Sequence, residues 1–127
     1  MAFHYPVDCF ELAETAKGYK TEERKKYVIG VDVPVKDNDF GFKLESYEPI
    51  VTLDGFIEFL KRQNVDGVFV GHVHNNTTSI EYENIRWTFG LKCGTYDYHT
   101  NGSLGGTLIE IEDGNLTVRH VPTLVGY

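Results

Sequence analysis

The stretch VFVGHVHNN, residues 68–76, predicts both the fold class and the position of a candidate site. Its first three residues form a short apolar run, which is typical of a strand that is covered on both faces. Gly71 and the pair His72 and His74 follow at once. Open α/β sheets bind their ligands beyond the carboxyl ends of the strands. The stretch therefore predicts an α/β layer with a polar site just after residue 70.

Two helices are predicted on the N-terminal side of this strand. Thr52 is a suitable N-cap for a helix over about 52–63. Asp8 and Glu11 have the spacing of a capping box and predict a helix over about 8–17. The apolar positions at helical spacing are Cys9, Leu12, Ala13 and Ala16 in the first helix, and Leu53, Phe56, Ile57 and Leu60 in the second. A helix that precedes a buried strand indicates an α/β layer.

The C-terminal half has apolar residues at every second position, which predicts antiparallel hairpins. The first hairpin is predicted to turn at residues 83–84, with Trp87 and Phe89 in its core. The second is predicted to turn at Asp113-Gly114, a strong turn pair. Its predicted register sets Ile111 opposite Leu116 and Ile109 opposite Val118. The polar stretch from residue 19 to 49 shows no such regularity and is expected to be a surface excursion.

Length and composition narrow the function classes. The chain has 127 residues, the size of one domain, and carries 12 Lys and Arg against 19 Asp and Glu, a net charge of −7. This charge disfavours diffuse attraction to nucleic acid or anionic lipid, so neither partner is expected. The chain contains no secretory signal, and its compartment stays open. Cys9 and Cys93 are too far apart for a Cys-x-x-Cys unit and are expected to be packed thiols.

Three histidines follow two apparent strands. On an extended chain, His72 and His74 would point the same way. His4 follows a second short apolar segment, residues 1–3, and precedes the first predicted helix. The two apolar segments are expected to be neighbouring strands of one sheet. Neutral imidazole is a good ligand for zinc, iron or manganese, so the three rings could form a metal site. The alternative is that these are loop histidines that bond only to backbone carbonyls.

Four segments, in this order, resemble the last part of the calcineurin-like metallophosphoesterases, and most closely the purple-acid-phosphatase-like branch. They are FHYP at 3–6, GHVH at 71–74, FGLKCGT at 89–95 and GGTLIEI at 105–111. The resemblance implies a two-sheet α/β sandwich with a mixed sheet and antiparallel hairpins in its C-terminal half. Residues 1–127 would form the C-terminal part of that single domain.

The resemblance also implies a metal centre with two divalent ions, Mn, Fe or Zn. His4 matches the isolated histidine of the fourth family motif, and His72 and His74 match the two histidines of the fifth. His4 and His72 would then bind one metal ion and His74 the other. The family's Asp-x-His, Gly-Asp-x-x-Asp and Gly-Asn-His-Glu motifs come before the isolated histidine, and none of them precedes His4. The chain is therefore expected to lack an N-terminal half and to be inactive alone.

Three more polar residues are candidates for contacts with substrate or with the ligands. Asn75 and Asn76 either orient the histidines or only form a turn. His99 lies in a polar aromatic loop that could approach the substrate, or could simply be a surface loop. By contrast, His120 alternates with Leu116 and Val118 and is predicted to be a hydrogen-bonded histidine at the edge of the core.

Two functions of different classes therefore remain. The first is the C-terminal portion of a metal-dependent phosphoesterase that hydrolyses phosphate esters with a metal-activated water. The second is a non-catalytic module that pairs with another chain through its sheet edge. If the N-terminal half is missing, apolar surface near Phe3, Phe69 and Leu60 is expected to be exposed and to cause self-association.

Overall fold

The computed structural model describes residues 1–19, 23–26, 33–34, 39–49, 52–100 and 104–123, and gives only the backbone at 23–26 and 33–34. The fold is mixed α/β, with strands dominating. The helices are α1 (Asp8–Ala16) and α2 (Phe56–Arg62). The strands are β1 (Glu23–Lys26), β2 (Val33–Pro34), β3 (Gly41–Lys43), β4 (Gly67–Val70), β5 (Ser79–Tyr82), β6 (Ile85–Phe89), β7 (Gly105–Glu112) and β8 (Asn115–Pro122). Neither helix of the described ranges is long and apolar enough to span a bilayer.

The strand predicted at 67–70 is β4, and it belongs to a mixed sheet. The strand order is β4-β6-β5, with β6 parallel to β4 and antiparallel to β5. The N-terminal residues lie along the other side of β4, where Ala2 forms a parallel bridge with Phe69. Phe69 N–H donates to Met1 O at 2.9 Å, and Phe3 N–H donates to Phe69 O at 3.0 Å. Residues 1–4 and 67–71 therefore run side by side, as the sequence predicts.

Both predicted hairpins are confirmed. Glu83 and Asn84 connect β5 to β6 with φ values of 57° and 60°, the left-handed pair that a type I′ turn requires. Asp113 and Gly114 do the same between β7 and β8. The register of that hairpin is the predicted one, with Ile111 opposite Leu116 and Ile109 opposite Val118. Trp87 and Phe89 are buried in the main core, also as predicted.

The helix starts differ from the prediction. The N-cap of α1 is Val7 and not Asp8, and the N-cap of α2 is Gly55 and not Thr52. Asp8 is the first helical residue, and its carboxylate accepts a weak bond from Leu53 N–H at 3.4 Å. Tertiary contact has therefore replaced the local capping box. The buried face of α1 is also rotated: it comprises Cys9, Phe10, Ala13 and Glu14.

The stretch predicted to be a surface excursion is partly core. Phe40 and Phe42 are buried, and Phe40 forms a second apolar cluster with Leu116 and Val118. Strand β3, which contains Phe42, pairs with β1, while β2 pairs with β8 to give the antiparallel order β2-β8-β7. A segment without regular periodicity can still be buried when it adds a strand to an existing sheet. The remaining residues between 20 and 38 lie outside the described part of the chain.

Two burial predictions are wrong. Leu60 was expected at an exposed apolar surface, but it is fully buried in the core between α2 and the mixed sheet. Cys93 was expected to be a packed thiol, but it is exposed, whereas Cys9 is buried as predicted. Burial raises the pKa of the Cys9 thiol to about 11, and the neighbouring Asp8 carboxylate adds to the shift. Cys9 is therefore an unreactive core thiol at neutral pH.

Candidate functional site

His4 and His72 lie side by side where strand β4 and the N-terminal segment parallel to it end. The ring centroids are 5.4 Å apart and the ring planes meet at 76°. Tyr5 completes the cluster, with its ring 4.4 Å from that of His72 and 4.8 Å from that of His4. Gly71 N–H donates to His4 O at 2.9 Å and holds the two segments together. All three rings belong to exposed residues, so the cluster is accessible to solvent.

The backbone at His72 is not an extended strand, contrary to the prediction. Strand β4 ends at Val70, and His72 has φ +69°. Val73 N–H donates to Gly71 O at 2.8 Å, so residues 71–73 form a three-residue turn with His72 at its centre. A positive φ is uncommon for a histidine and is typical of functional loops. The turn exposes His72 while Val73, the next residue, is buried.

His74 is held by a different neighbour, Tyr98. The two rings stack with centroids 4.2 Å apart and planes 25° from parallel. His74 Nδ1 lies 3.0 Å from Tyr98 O. Because a carbonyl oxygen can only accept, Nδ1 must carry the proton, and in the neutral ring Nε2 then has a free lone pair. Metal-binding histidines are commonly fixed in this way, with the second ring nitrogen bonded to a carbonyl.

A set of hydrogen-bonded polar side chains adjoins His74 through Tyr98, and we call it the Glu45 clip. One oxygen of the Glu45 carboxylate accepts from Asn75 Nδ2 at 2.8 Å, and the other accepts from the Tyr98 hydroxyl at 3.3 Å. Asn75 Oδ1 in turn accepts from Thr100 Oγ1 at 2.8 Å. Partial burial and, after it, the Glu45 carboxylate raise the pKa of Tyr98, so its hydroxyl keeps its proton. The clip comprises Glu45, Asn75, Asn76, Tyr98 and Thr100.

Asn76 is a buried member of the clip, and its bonds are to the backbone. Its Oδ1 accepts from Leu44 N–H at 2.9 Å and Glu45 N–H at 3.0 Å, while its Nδ2 donates to Glu45 O at 3.0 Å. Asn76 therefore fixes the main chain of residues 44–45. The Asn75 amide bonds to the side chains of Glu45 and Thr100 in the part of the chain that the structure describes. Both asparagines thus hold the loop that contains His72 and His74.

The loop of His99 lies next to His74, although His99 itself bonds within its own loop. Its Nδ1 donates to Asp97 O at 2.9 Å. Asp97, Tyr98 and His99 have the order Asp-x-His. They lie in an irregular loop and not at the end of a buried strand; Asp97 and Tyr98 are exposed and His99 is partly exposed. The neighbour that the loop brings to His74 is Tyr98.

His120 is a buried structural histidine, as predicted. Its Nε2 donates to Thr77 O at 2.8 Å and its Nδ1 accepts from Thr107 Oγ1 at 2.9 Å. Thr107 Oγ1 also accepts from Leu91 N–H at 3.0 Å, so the polar groups form a continuous chain. Burial lowers the pKa of His120 to about 4. The ring therefore joins strand β8 to the residues that follow the candidate site.

A second buried polar cluster supports the same loop from the other side. The Glu14 carboxylate of α1 accepts from the Tyr47 hydroxyl and, at 3.2 Å, from Thr78 Oγ1. Lys43 Nζ lies 3.8 Å from Glu14 and 5.1 Å above the Tyr47 ring. Burial raises the pKa of Glu14, while Tyr47 and Lys43 act against that shift. Because all four groups have partners inside the fold, the cluster is structural.

The histidines fit a metal ion only in part. Two imidazoles on one tetrahedral zinc, with Zn–N bonds of about 2.0 Å, have ring centroids about 5 Å apart. The spacing of His4 and His72 fits such a pair. Across the described ranges, however, no three His, Cys, Asp or Glu side chains form a group that could hold a metal ion. Of the three histidines that were expected to converge, His4 and His72 form a pair, and His74 stacks on Tyr98 instead.

Two residues of this site were missed by the sequence reasoning. Glu45 lies in the polar stretch that was interpreted as a surface excursion, thirty residues before Asn75. Tyr98 lies in the same loop as the candidate His99, and it is Tyr98 that contacts His74. The only local signal for the clip was Asn75-Asn76, whose amides need partners when they are not fully exposed.

Comparisons with family models, with curated proteins and with solved structures found no match to this chain.

Proposed function

We propose that this chain carries the histidine portion of a metal-dependent phosphoesterase site. The observation that supports the proposal most strongly is the contact between His4 and His72, where strand β4 and the parallel N-terminal segment end. The two residues are 68 positions apart in sequence, and the resemblance predicts that they share one metal ion. A structural role for either ring alone gives no reason for both to be exposed at the same sheet edge.

The proposal assigns His74 to the second metal ion. Its Nδ1 donates to Tyr98 O, so Nε2 has the free lone pair that a metal ligand needs. In a site with two metal ions, the metals lower the pKa of a bound water and neutralise the charge of the phosphate ester during attack. The residues of this chain would bind the metals and orient them. The remaining ligands would come from a partner half, so the chain alone is expected to be inactive on phosphate esters.

The proposed architecture is the C-terminal part of a two-sheet sandwich. The mixed sheet β4-β6-β5 would be one layer and the antiparallel sheet β2-β8-β7 would contribute to the other. His120 links them, because it lies on β8 and bonds to Thr77, which precedes β5. In the proposed whole domain, the N-terminal half would complete both the apolar layers and the metal site.

The metal-binding part of the proposal can be tested on the chain itself. We expect Co²⁺, followed by visible absorption and by calorimetry, to bind weakly at neutral pH. Replacing His72 or His4 with Ala should reduce its affinity at least about tenfold, because each removes one of two imidazole ligands. Binding should also weaken in acid, since the ligands must lose their protons.

His99→Ala is the matched control for these variants. His99 is a partly exposed imidazole, and in the described contacts it bonds only to its own loop. Its replacement should leave Co²⁺ affinity within about twofold of the wild type. Equal affinities for the wild type, His72→Ala and His4→Ala would contradict the assignment of these two residues to one metal ion.

A second candidate function is a module that pairs through its sheet edge. It is favoured by strand β7, which has exposed apolar side chains. This strand is the outer one of the order β2-β8-β7 among the described strands. Ile111 is 77% exposed, and Ile109 is 39% exposed. Both line a shallow cavity of about 420 Å³ together with Phe69. Exposed apolar edge strands promote association between chains.

The pairing function predicts self-association that depends on this edge. Sedimentation velocity at micromolar to about 100 μM protein should show a dimer, and Ile111→Lys should raise its dissociation constant at least about tenfold. Leu12→Lys is the control, because Leu12 is half exposed on α1, away from the cavity lining. A monomer over the whole range, or equal effects of the two lysines, would exclude the edge of β7 as a pairing surface.

A further inference from the structure

The Glu45 carboxylate connects three elements that meet at the candidate site. Its main chain follows β3, and its two oxygens accept from Asn75 in the histidine loop and from Tyr98 in the loop after β6. Within the described ranges, both donors to the Glu45 side chain are neutral groups. A carboxylate that accepts from two neutral donors orders both of them.

Tyr98, once restrained by Glu45, restrains the His74 ring through two contacts. Its ring lies against the imidazole at 4.2 Å, and its carbonyl oxygen accepts from Nδ1 at 3.0 Å. The stacking fixes the tilt of the imidazole, and the hydrogen bond fixes which nitrogen carries the proton. Since the Tyr98 side chain is half exposed, the bond from its hydroxyl to Glu45 is what restrains the far end of the ring.

The carboxylate is not needed to hold its own segment of chain. Asn76 makes three bonds to the main chain of residues 44–45, and these do not involve the Glu45 side chain. The backbone of Glu45 should therefore stay in place when its side chain is shortened. What the side chain adds is the link between Asn75 and Tyr98.

We propose that Glu45 is a positioning residue for His74, acting through Tyr98 to keep Nδ1 protonated and to present Nε2 outward. The inference rests on the proposed function only for the use of Nε2 as a metal ligand. The positioning itself is a property of the metal-free chain, and it can be measured there.

The test uses the metal-free protein and Nitrogen-15 NMR of the histidine side chains, at a pH where the imidazoles are neutral. In the wild type, His74 should be mainly in the Nδ1–H form, and stacking on Tyr98 should shift its carbon-bound protons upfield. Glu45→Ala should lower the ratio of Nδ1–H to Nε2–H forms about threefold or more, because one restraining hydrogen bond is lost. The upfield shift should decrease with it.

Two further variants separate positioning from a general loss of structure. Tyr98→Phe keeps the ring and removes only the hydroxyl, and it should reproduce the effect of Glu45→Ala. The double variant should be no worse than either single one, since both break the same link. Glu48→Ala, which removes an exposed carboxylate three residues away, should leave His74 unchanged. An unchanged His74 ratio in Glu45→Ala, or additive effects of the two variants, would overturn the proposal.

The same set distinguishes a failure of positioning from a failure of the proposed function. Co²⁺ affinity is compared for the wild type, Glu45→Ala and His74→Ala. Loss of the Nδ1–H form in Glu45→Ala, with no effect of His74→Ala on Co²⁺ binding, would support the positioning role and contradict the metal role of His74. Weaker Co²⁺ binding in His74→Ala with an unchanged ring form in Glu45→Ala would do the reverse.

Discussion

Gly41→Ala is expected to destabilise the fold by roughly 3 kcal/mol or more, among the largest effects of any single substitution outside the main core. An added Cβ at this position would lie 2.0 Å from Thr77 O and 2.9 Å from Thr78 Cα, both backbone atoms. Gly41 also has φ +87°, a conformation that disfavours any side chain. Strand β3 must therefore move away from residues 77–78 to accept the methyl group. Urea denaturation at neutral pH measures the loss.

Gly114→Ala is the matched control for this clash. Gly114 has φ +76°, but an added Cβ would have nothing within 4 Å. Its replacement carries the backbone strain alone, about 1 kcal/mol. The difference between the two variants isolates the steric conflict with Thr77. Equal destabilisation by the two substitutions would show that β3 is free to shift and does not pack tightly against residues 77–78.

The effect should extend to the candidate site. Phe42 N–H donates to Thr77 Oγ1 at 3.1 Å, and Thr77 N–H donates to Phe42 O at 3.0 Å. Thr77 directly follows Asn76, the residue that holds the main chain of 44–45. A displaced β3 should therefore release the Glu45 clip as well. In Gly41→Ala, the resonances of His74 and Tyr98 should shift together even where the protein remains folded.

The parts of the fold that follow from local sequence are predicted correctly. The two hairpins depend on alternation over eight to ten residues and on turn residues that tolerate positive φ, at 83–84 and at 113–114. Strand β4 follows from a short apolar run, and the pairing of residues 1–3 with it follows from a second such run before a polar residue. These signals need no knowledge of distant residues.

Several of the features that were missed depend on contacts between distant residues. The Asp8 carboxylate, which was expected to cap its own helix, accepts from Leu53 N–H, 45 residues away. The burial of Phe40 depends on Leu116 and Val118 in the last hairpin. The periodicity of apolar residues within one segment does not predict which distant residues will contact it. The same applies to Lys43, which is buried only because Glu14 lies opposite it.

The candidate site shows both cases. The approach of His4 to His72 could be predicted, because the carboxyl ends of adjacent parallel strands lie together. The positive φ of His72 could not, since nothing in the local sequence requires a turn there before the chain is packed. For His74, the decisive partner is Tyr98, 24 residues on. A sequence can indicate that a histidine is available for chemistry, but the residues that orient it are brought close by the fold.

The buried His120 should make the protein sensitive to mild acid. Its folded pKa is about 4, against an ordinary value of 6.5, because burial disfavours the charged ring. Above pH 6.5, the ring is neutral in both folded and unfolded chains and contributes no pH dependence. As the pH falls from 6.5 towards 4, the unfolded chain takes up a proton that the folded chain resists. The free energy of unfolding should therefore decrease by about 3 kcal/mol as the pH falls through this window.

The hydrogen bonds of His120 add a structural reason for this loss. Nε2 must donate to Thr77 O, and the neutral Nδ1 accepts from Thr107 Oγ1. A protonated ring would present a second donor to a hydroxyl that already accepts from Leu91 N–H. The Thr107 hydroxyl would then have to accept a hydrogen bond from His120 Nδ1, whereas it donates one to the neutral ring. Protonation should therefore loosen β8 from residue 77, and with it the support of the histidine loop.

His120→Gln tests this account, because glutamine is neutral at every pH and can still accept from Thr107 and donate to Thr77. Its stability at pH 7 should be lower than that of the wild type, but its loss between pH 6.5 and 4 should be smaller by about 3 kcal/mol. The comparison isolates His120, since Glu14 and the surface carboxylates titrate in both proteins. Urea denaturation at pH 7, 5.5 and 4.5 measures the two curves. Parallel curves would mean that the folded protein accommodates the charged ring, and that the bonds to Thr107 and Thr77 do not depend on its neutral form.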